Sequence, residues 1–259
     1  ADGVPIVINT RAENKFKLTV DDIKDKITDK TKALILPYPN NPTGAIMEKE
    51  DLEKLGAFLK DKNILVISDE IYSELTYGGK QHFSIATVEG MRDKTIVING
   101  FSKSFAMTGW RLGYAAGPKE IISAMTKIHQ YCIMCAPTTS QQAAIEGLKN
   151  CKDSVDAMRR EYDRRRRFMR KGFLDMGLDC YDAEGAFYLF PCIKSTGLSS
   201  EEFCERLLFE EKVAVVPGTA FGECGEGFIR CSYAYSVEEI KVALDKITKF
   251  VNKVRTEKR

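Results

Sequence analysis

Thr95-Ile96-Val97-Ile98-Asn99-Gly100-Phe101-Ser102-Lys103-Ser104-Phe105-Ala106-Met107-Thr108-Gly109-Trp110-Arg111-Leu112-Gly113-Tyr114 carries an apolar run straight into a lysine, and an arginine follows eight positions on with small residues between. A lysine that leaves a buried strand sits where desolvation can lower its pKa, and a neutral amine can form a Schiff base. The arginine adds a planar fork of donors suited to an anion.

Outward from this stretch, the first half of the 259 residues alternates short apolar runs with amphipathic helical patterns. That alternation predicts an α/β fold with a mostly parallel sheet flanked by helices. The predicted strands are Ile6-Val7-Ile8, Ala33-Leu34-Ile35-Leu36, Ile64-Leu65-Val66-Ile67, Thr95-Ile96-Val97-Ile98 and Leu112-Gly113-Tyr114-Ala115-Ala116. They barely alternate, as expected of strands covered on both faces. Leu52, Leu55, Phe58 and Leu59 mark the buried face of one helix, and Ile121, Ile122, Met125 and Ile128 that of another.

After about Asn150 the pattern changes. A long helix, Asp153 to Met176, is followed by short strand candidates at Cys180-Tyr181, Phe187 to Phe190, Val213 to Val216 and Phe228 to Cys231, with helices at Glu201 to Glu211 and Val237 to Val254. The expected organisation is a large domain over residues 1–150 and a smaller α+β domain over 151–259 that includes the connecting helix.

Composition narrows the function. With 39 basic and 37 acidic residues the formal charge is +2, which suggests neither a nucleic-acid nor a membrane-surface partner. No apolar run approaches the roughly 20 residues of a membrane span. Arg164 to Arg167 lie in a helical pattern with Glu161 and Asp163 nearby and read as a solvated helix face. The eight scattered cysteines read as buried, reduced thiols of a cytoplasmic protein. Two histidines disfavour a histidine-based hydrolase, and Cys132 with Cys135 lacks the second ligand pair of a zinc site, so no metal is expected.

Three predicted strands end in residues with chemical potential: one in Asn40-Asn41-Pro42-Thr43-Gly44, one in Ser68-Asp69-Glu70-Ile71-Tyr72 and one in Ser102-Lys103. Ligands of an open parallel sheet bind outside the carboxyl ends of its strands, so Asn41, Asp69, Tyr72 and Lys103 are candidates to meet at one edge. One turn of helix would set Asp69 and Tyr72 on the same side. Taken alone, Asp69 also reads as a helix N-cap, Asn41 as a turn residue and Tyr72 as a core aromatic. Arg230 sits inside an apolar strand candidate, where a charge needs either an internal partner or an anionic ligand.

Asn41-Pro42-Thr43-Gly44, Ser68-Asp69-Glu70-Ile71-Tyr72 and Ser102-Lys103-Ser104-Phe105-Ala106-Met107-Thr108-Gly109-Trp110-Arg111 occur in an order and approximate spacing similar to those of class I pyridoxal-phosphate-dependent aminotransferases, of fold type I and aspartate aminotransferase-like. Glu184 to Tyr188 and Gly227 to Tyr233 extend the resemblance along the chain. It implies pyridoxal 5'-phosphate as cofactor, an amino acid and a 2-oxo acid as substrates, and a homodimer at full length. By that resemblance Lys103 holds the cofactor covalently and moves the α-proton, while Asp69 keeps the pyridine nitrogen protonated. Asn41 and Tyr72 bond the cofactor's phenolate oxygen, and Tyr72 joins Lys103 and Asp69 in the catalytic set. Arg111 clamps the phosphate. Arg230 grips the substrate α-carboxylate, and Asn41 is also counted among the substrate-binding residues.

Two departures accompany the resemblance. Where many relatives have a phosphate-binding serine, this chain has Gly100, which leaves Ser102 as the candidate hydroxyl. The chain also opens at a point similar to the inside of the family's large domain. The expectation is therefore that the N-terminal third is absent, that the sheet lacks two strands with one gap between the first two strand candidates, and that the chain alone is inactive. Two other readings stay open. One is a carbon–sulfur β-lyase of the same fold, the other the aminotransferase-like sensor domain of a transcription regulator.

Overall fold

Leu34, Leu36 and Val66 are buried in strands whose order along the chain is also their order in space. The computed structural model describes residues 2–257. It aligns β1 (Ala33–Pro37), β2 (Leu65–Asp69), β3 (Thr95–Gly100) and β4 (Gly113–Ala116) as one four-stranded sheet. β1, β2 and β3 run parallel, with Pro37 opposite Asp69 and Asp69 opposite Ile98. β4 returns antiparallel, Gly113 facing Gly100. The connection over residues 101–112 holds only a short 3-10 turn at Thr108–Trp110, too little for the helical crossover that a parallel return requires.

The chain divides into two compact units. The first takes residues up to Arg11, Lys17–Pro39 and Ile46–Arg159; the second takes Ala12–Phe16, Asn40–Ala45 and everything from Arg160 onward. In the first unit, α1 (Val20–Lys24) begins at a reciprocal cap between Thr19 and Asp22. α2 (Lys49–Leu59) buries Leu52, Leu55 and Leu59, the face its spacing predicts. α3 (Lys119–Ile133), α4 (Thr138–Asn150) and the start of α5 (Lys152–Asp175) complete it.

The second unit contains the three-stranded sheet β5 (Tyr188–Leu189), β7 (Ile229–Ser232) and β6 (Val216–Pro217), in that spatial order and all antiparallel. α6 (Ser200–Glu211) and α7 (Val237–Glu257) belong to it, and their buried Phe203 and Phe250 meet edge to face at 5.1 Å. Gly172 of α5 admits the Leu244 side chain of α7, which would otherwise lie 2.6 Å from a Cβ.

Several expectations are corrected. Ile6-Val7-Ile8 is not a strand: Ile6 and Val7 are exposed, and among the described residues none pairs with them, so their backbone lacks the ladder that makes a strand. The sheet is not covered on both faces, since Leu34 and Leu36 are buried while Ile35 between them is 66% exposed. The stripe of α3 is open too, with Ile128 65% exposed, because no described element packs on it. Strands in the second unit are shorter than predicted, and Cys180 makes only a single bridge, to Pro191.

Arg166 is 6% exposed rather than solvated. It is ion-paired to Asp163 and Asp182, while Arg164 and Arg165 pair with Glu161. Cys180, Cys204 and Cys231 are buried, but Cys132, Cys135 and Cys224 are exposed. No described helix is long and apolar enough to cross a membrane.

Candidate active site

β2 ends at Asp69, and the parallel register sets Ile98 of β3 beside it. Lys103 therefore leaves the sheet at the same edge. Because Gly113 faces Gly100, Arg111 at the mouth of β4 returns to that edge as well. In the first unit the topology thus gathers Asp69, Tyr72, Ser102, Lys103 and Arg111 at the carboxyl ends of β2 and β3, where ligands of such sheets bind. Lys103 and Ser102 are half-buried, Tyr72 is buried and Arg111 is exposed.

The rest of the lysine stretch is its scaffold. Phe101 and Met107 are buried with Ala144 of α4, and Phe105 packs against them. Phe101 and Phe105 lie 5.4 Å apart, and the Phe105 and Met107 N–H groups both donate to the Phe101 carbonyl. The Thr108 hydroxyl closes the loop by donating to the Ser102 carbonyl, and Ser140 Oγ of α4 donates to the Trp110 carbonyl. Arg111 is held at φ 54°, an uncommon conformation for a side-chain-bearing residue, while its Nη1 donates to the Thr108 carbonyl. At Gly100 a Cβ would lie 3.0 Å from both the Gly113 Cα and the Leu112 carbonyl oxygen, backbone atoms that cannot swing aside. A side chain at this position would require the paired strand to give by a few tenths of an ångström.

Asp69 opens a turn, not a helix: its Oδ1 accepts from the Ile71 N–H at 3.1 Å, and residues 71–74 form turns. Among the described residues no cation pairs with it, and Oδ2 is left available. Tyr72 is fixed within this turn, which closes through Ser73 N–H to the Glu70 carbonyl and Leu75 N–H to the Tyr72 carbonyl. Asn99 Nδ2 donates to Ser73 Oγ at 3.0 Å, tying the end of β3 to the same turn.

Glu70 is 4% exposed and faces away from solvent into three donors: Ser68 Oγ, Ser84 Oγ at 2.5 Å and His82 Nε2 at 2.8 Å. Burial pushes this carboxyl up, but the bonds from His82, Ser84 and Ser68 outweigh it and hold it below its ordinary 4.5. A depressed carboxyl contributes its stability fully above the unfolded-state value and loses it as pH falls through the folded-state value. The stability advantage of wild type over Glu70→Gln should therefore shrink as pH falls below 4.5. Denaturant melts across the acid range check this; an unchanged gap from neutral to strongly acid solution counts against the charged network.

In the second unit, the Asn41-Pro42-Thr43-Gly44 turn is locked from both sides. Asn40 Oδ1 accepts from the Thr43 hydroxyl and N–H, and the Gly44 carbonyl accepts from the N–H groups of Glu184 and Gly185. Gly44 has φ 70°, and a Cβ there would sit 2.4 Å from that of Ala183, so only glycine fits. Arg230 Nη1 donates to Asn41 Oδ1 at 2.9 Å, across 189 positions of sequence. Among the described residues Arg230 has no carboxylate partner. Its guanidinium lies 4.5 Å from the Tyr188 ring centroid and 5.0 Å from that of Phe221.

A family model described as aminotransferase class I and II matches residues 1–247. The chain belongs to that family. It is 48% identical over 251 residues to an aspartate aminotransferase of Pyrococcus abyssi, covering 96% of this chain and 64% of that protein. An aromatic-amino-acid aminotransferase of Thermococcus litoralis is 46% identical over 251 residues, with coverages of 96% and 64%. The crystal structure of an aromatic aminotransferase from Pyrococcus horikoshii superimposes with a TM-score of 0.94 at 45% identity, over 97% of this chain and 68% of that one. The chain thus spans about two thirds of the length of its aminotransferase relatives.

The structure groups the sequence candidates as two sets: Asp69, Tyr72, Ser102, Lys103 and Arg111 in the first unit, and Asn41 with Arg230 in the second. Sequence reasoning missed the buried Glu70 with its half-buried partners His82 and Ser84, Asn99 and Thr108 as ties, and the two rings on Arg230. A second carboxylate directly after Asp69 was the available signal for the cluster. No local pattern marked Phe221.

Proposed function

We propose that this chain carries the cofactor- and substrate-binding residues of a pyridoxal-phosphate-dependent aminotransferase that exchanges an amino group between an amino acid and a 2-oxo acid. One observation carries the reading: a lysine, an aspartate with an available carboxylate oxygen and an arginine share the carboxyl edge of a parallel sheet. This donor set fits the cofactor, offering an amine for its aldehyde, an anion for its ring nitrogen and a guanidinium for its phosphate. When bound, the cofactor supplies an electron-withdrawing ring in conjugation with the substrate nitrogen.

Asp69 presents Oδ2 to the ring nitrogen while Ile71 holds Oδ1. Tyr72 and Asn41 would donate to the phenolate oxygen. Arg111 and Ser102 would bind phosphate oxygens, a planar guanidinium being suited to such an anion. Lys103 would take and return the proton at the substrate α-carbon. Arg230 engages the α-carboxylate. Relatives of nearly equal identity are named for aspartate and for aromatic amino acids, so the proposal extends to the α-amino acid class and to no one side chain. A homodimer in the cytoplasm completes it.

The experiment is borohydride reduction of the protein with pyridoxal phosphate, followed by peptide mapping. The pyridoxyl group should appear on Lys103. Its appearance on a different lysine overturns the assignment.

A further inference from the structure

Arg230 lies in β7, and Ser232, two residues along, faces Tyr188 of β5. Residues two apart on a strand share a face, so Tyr188 reaches Arg230 as a diagonal cross-strand neighbour. On β6, Val216 faces Arg230 directly, and the chain then turns through Gly218–Phe221 to bring the Phe221 ring over the same guanidinium. The turn has little freedom: Gly218 and Gly225 are in backbone contact, Gly222 sits at φ 125°, and Phe190 meets Phe221 edge on at 6.4 Å.

Two rings therefore hold one cation that has no carboxylate partner among the described residues. A guanidinium is weakly hydrated and stacks well on aromatic faces, so the rings restrain it without satisfying its donors. Asn41 takes one Nη1 hydrogen. Nε and Nη2 stay available in the plane, the fork that a carboxylate fits bidentately.

We infer that Tyr188 and Phe221 are positioning residues whose rings flank Arg230 and present its free edge to a substrate carboxylate. They touch the arginine and not the reacting atoms. The inference rests on the reading of Arg230 as the carboxylate clamp, and it adds that the rings, together with Asn41, set the clamp's orientation. An arginine freed from them loses orientation at each binding event, so affinity for every carboxylate should weaken alike.

The probe is succinate, titrated into the protein labelled with 15N-arginine, with the Arg230 Nε–H resonance observed by NMR. In wild type that resonance should carry a ring-current shift and move further on titration. Phe221→Leu and Tyr188→Leu should each lose part of the ring-current shift and weaken succinate roughly three- to tenfold, the range of a partly desolvated cation–π contact. Phe221→Tyr and Tyr188→Phe, which keep the rings, should retain both, an outcome that a general loss of folding would not produce.

Arg230→Met separates the two readings. If it leaves succinate binding unchanged, or if the wild-type resonance never responds, the clamp itself falls. If it abolishes binding while both leucine variants bind as wild type does, the clamp stands and the positioning role is overturned. Should a leucine variant fail to fold, the matched methionine variant at that ring position replaces it, with the same expected loss.

Discussion

On the proposed aminotransferase reading, Asp69→Ala in the full-length protein should lower the amino-transfer half-reaction rate by on the order of a thousandfold or more, the scale seen when one preorganised charge-stabilising group is removed. Asp69 ends a central strand, and its backbone is fixed on both sides by the ladders to β1 and β3. Its Oδ1 is committed to the Ile71 N–H, which sets the direction of Oδ2 before any ligand arrives. On that reading, loss of the carboxylate would remove the group proposed to keep the ring nitrogen protonated, and with it the sink for negative charge developing at the substrate α-carbon. Asp69→Asn should behave almost as poorly, because the amide keeps the shape and loses the charge. The folding cost should stay near 1 kcal/mol, since one half-exposed hydrogen bond is lost. Stopped-flow half-reactions with thermal melts check both quantities; rates within a few-fold of wild type would take Asp69 out of the mechanism.

Gly218→Ala should strongly destabilise the second unit. A Cβ at this position would lie 2.0 Å from the Gly225 carbonyl oxygen and 2.8 Å from that of Phe228. Both are backbone atoms, so no rotamer change relieves the overlap. The loop must open, breaking the Gly218 N–H bond to the Phe228 carbonyl. Overpacking of this kind typically costs about 1–3 kcal/mol, and a backbone overlap this close falls at the upper end. Opening the loop also withdraws Phe221 from Arg230, so substrate affinity should fall in whatever fraction still folds. Denaturant unfolding measures the first effect. A variant with wild-type stability would show that residues 218–225 have an alternative closed conformation.

The site is legible in the sequence to the extent that it is built from contiguous residues at strand ends. Lys103 and Arg111 share one loop, and Asp69 and Tyr72 share one turn, so their spacing alone brings them to an edge once the apolar runs are read as strands. The parallel pairing of β1, β2 and β3 follows from the helical and long connections between them. The antiparallel return of β4 does not follow from its apolar run, because strand direction depends on what the connection can span. The exposed stripe of α3 was unreadable for a related reason. Periodicity shows that a face is apolar, not whether anything described packs on it.

What the sequence by itself determined is the family and a local frame: the strand ends from which Lys103, Asp69 and Arg111 leave the sheet. Only the tertiary structure decided which stretches join across distance. Phe16 packs edge to face on Tyr181, Phe190 and Phe228, and so draws residues 12–16 into the second unit, while the residues that flank them belong to the first. Asn40–Ala45 follow because Gly44 admits no side chain beside Ala183, and Asn41 then meets Arg230. Local propensity and spacing act over a few residues. Burial and close backbone contact act between surfaces that the chain brings together only when it folds.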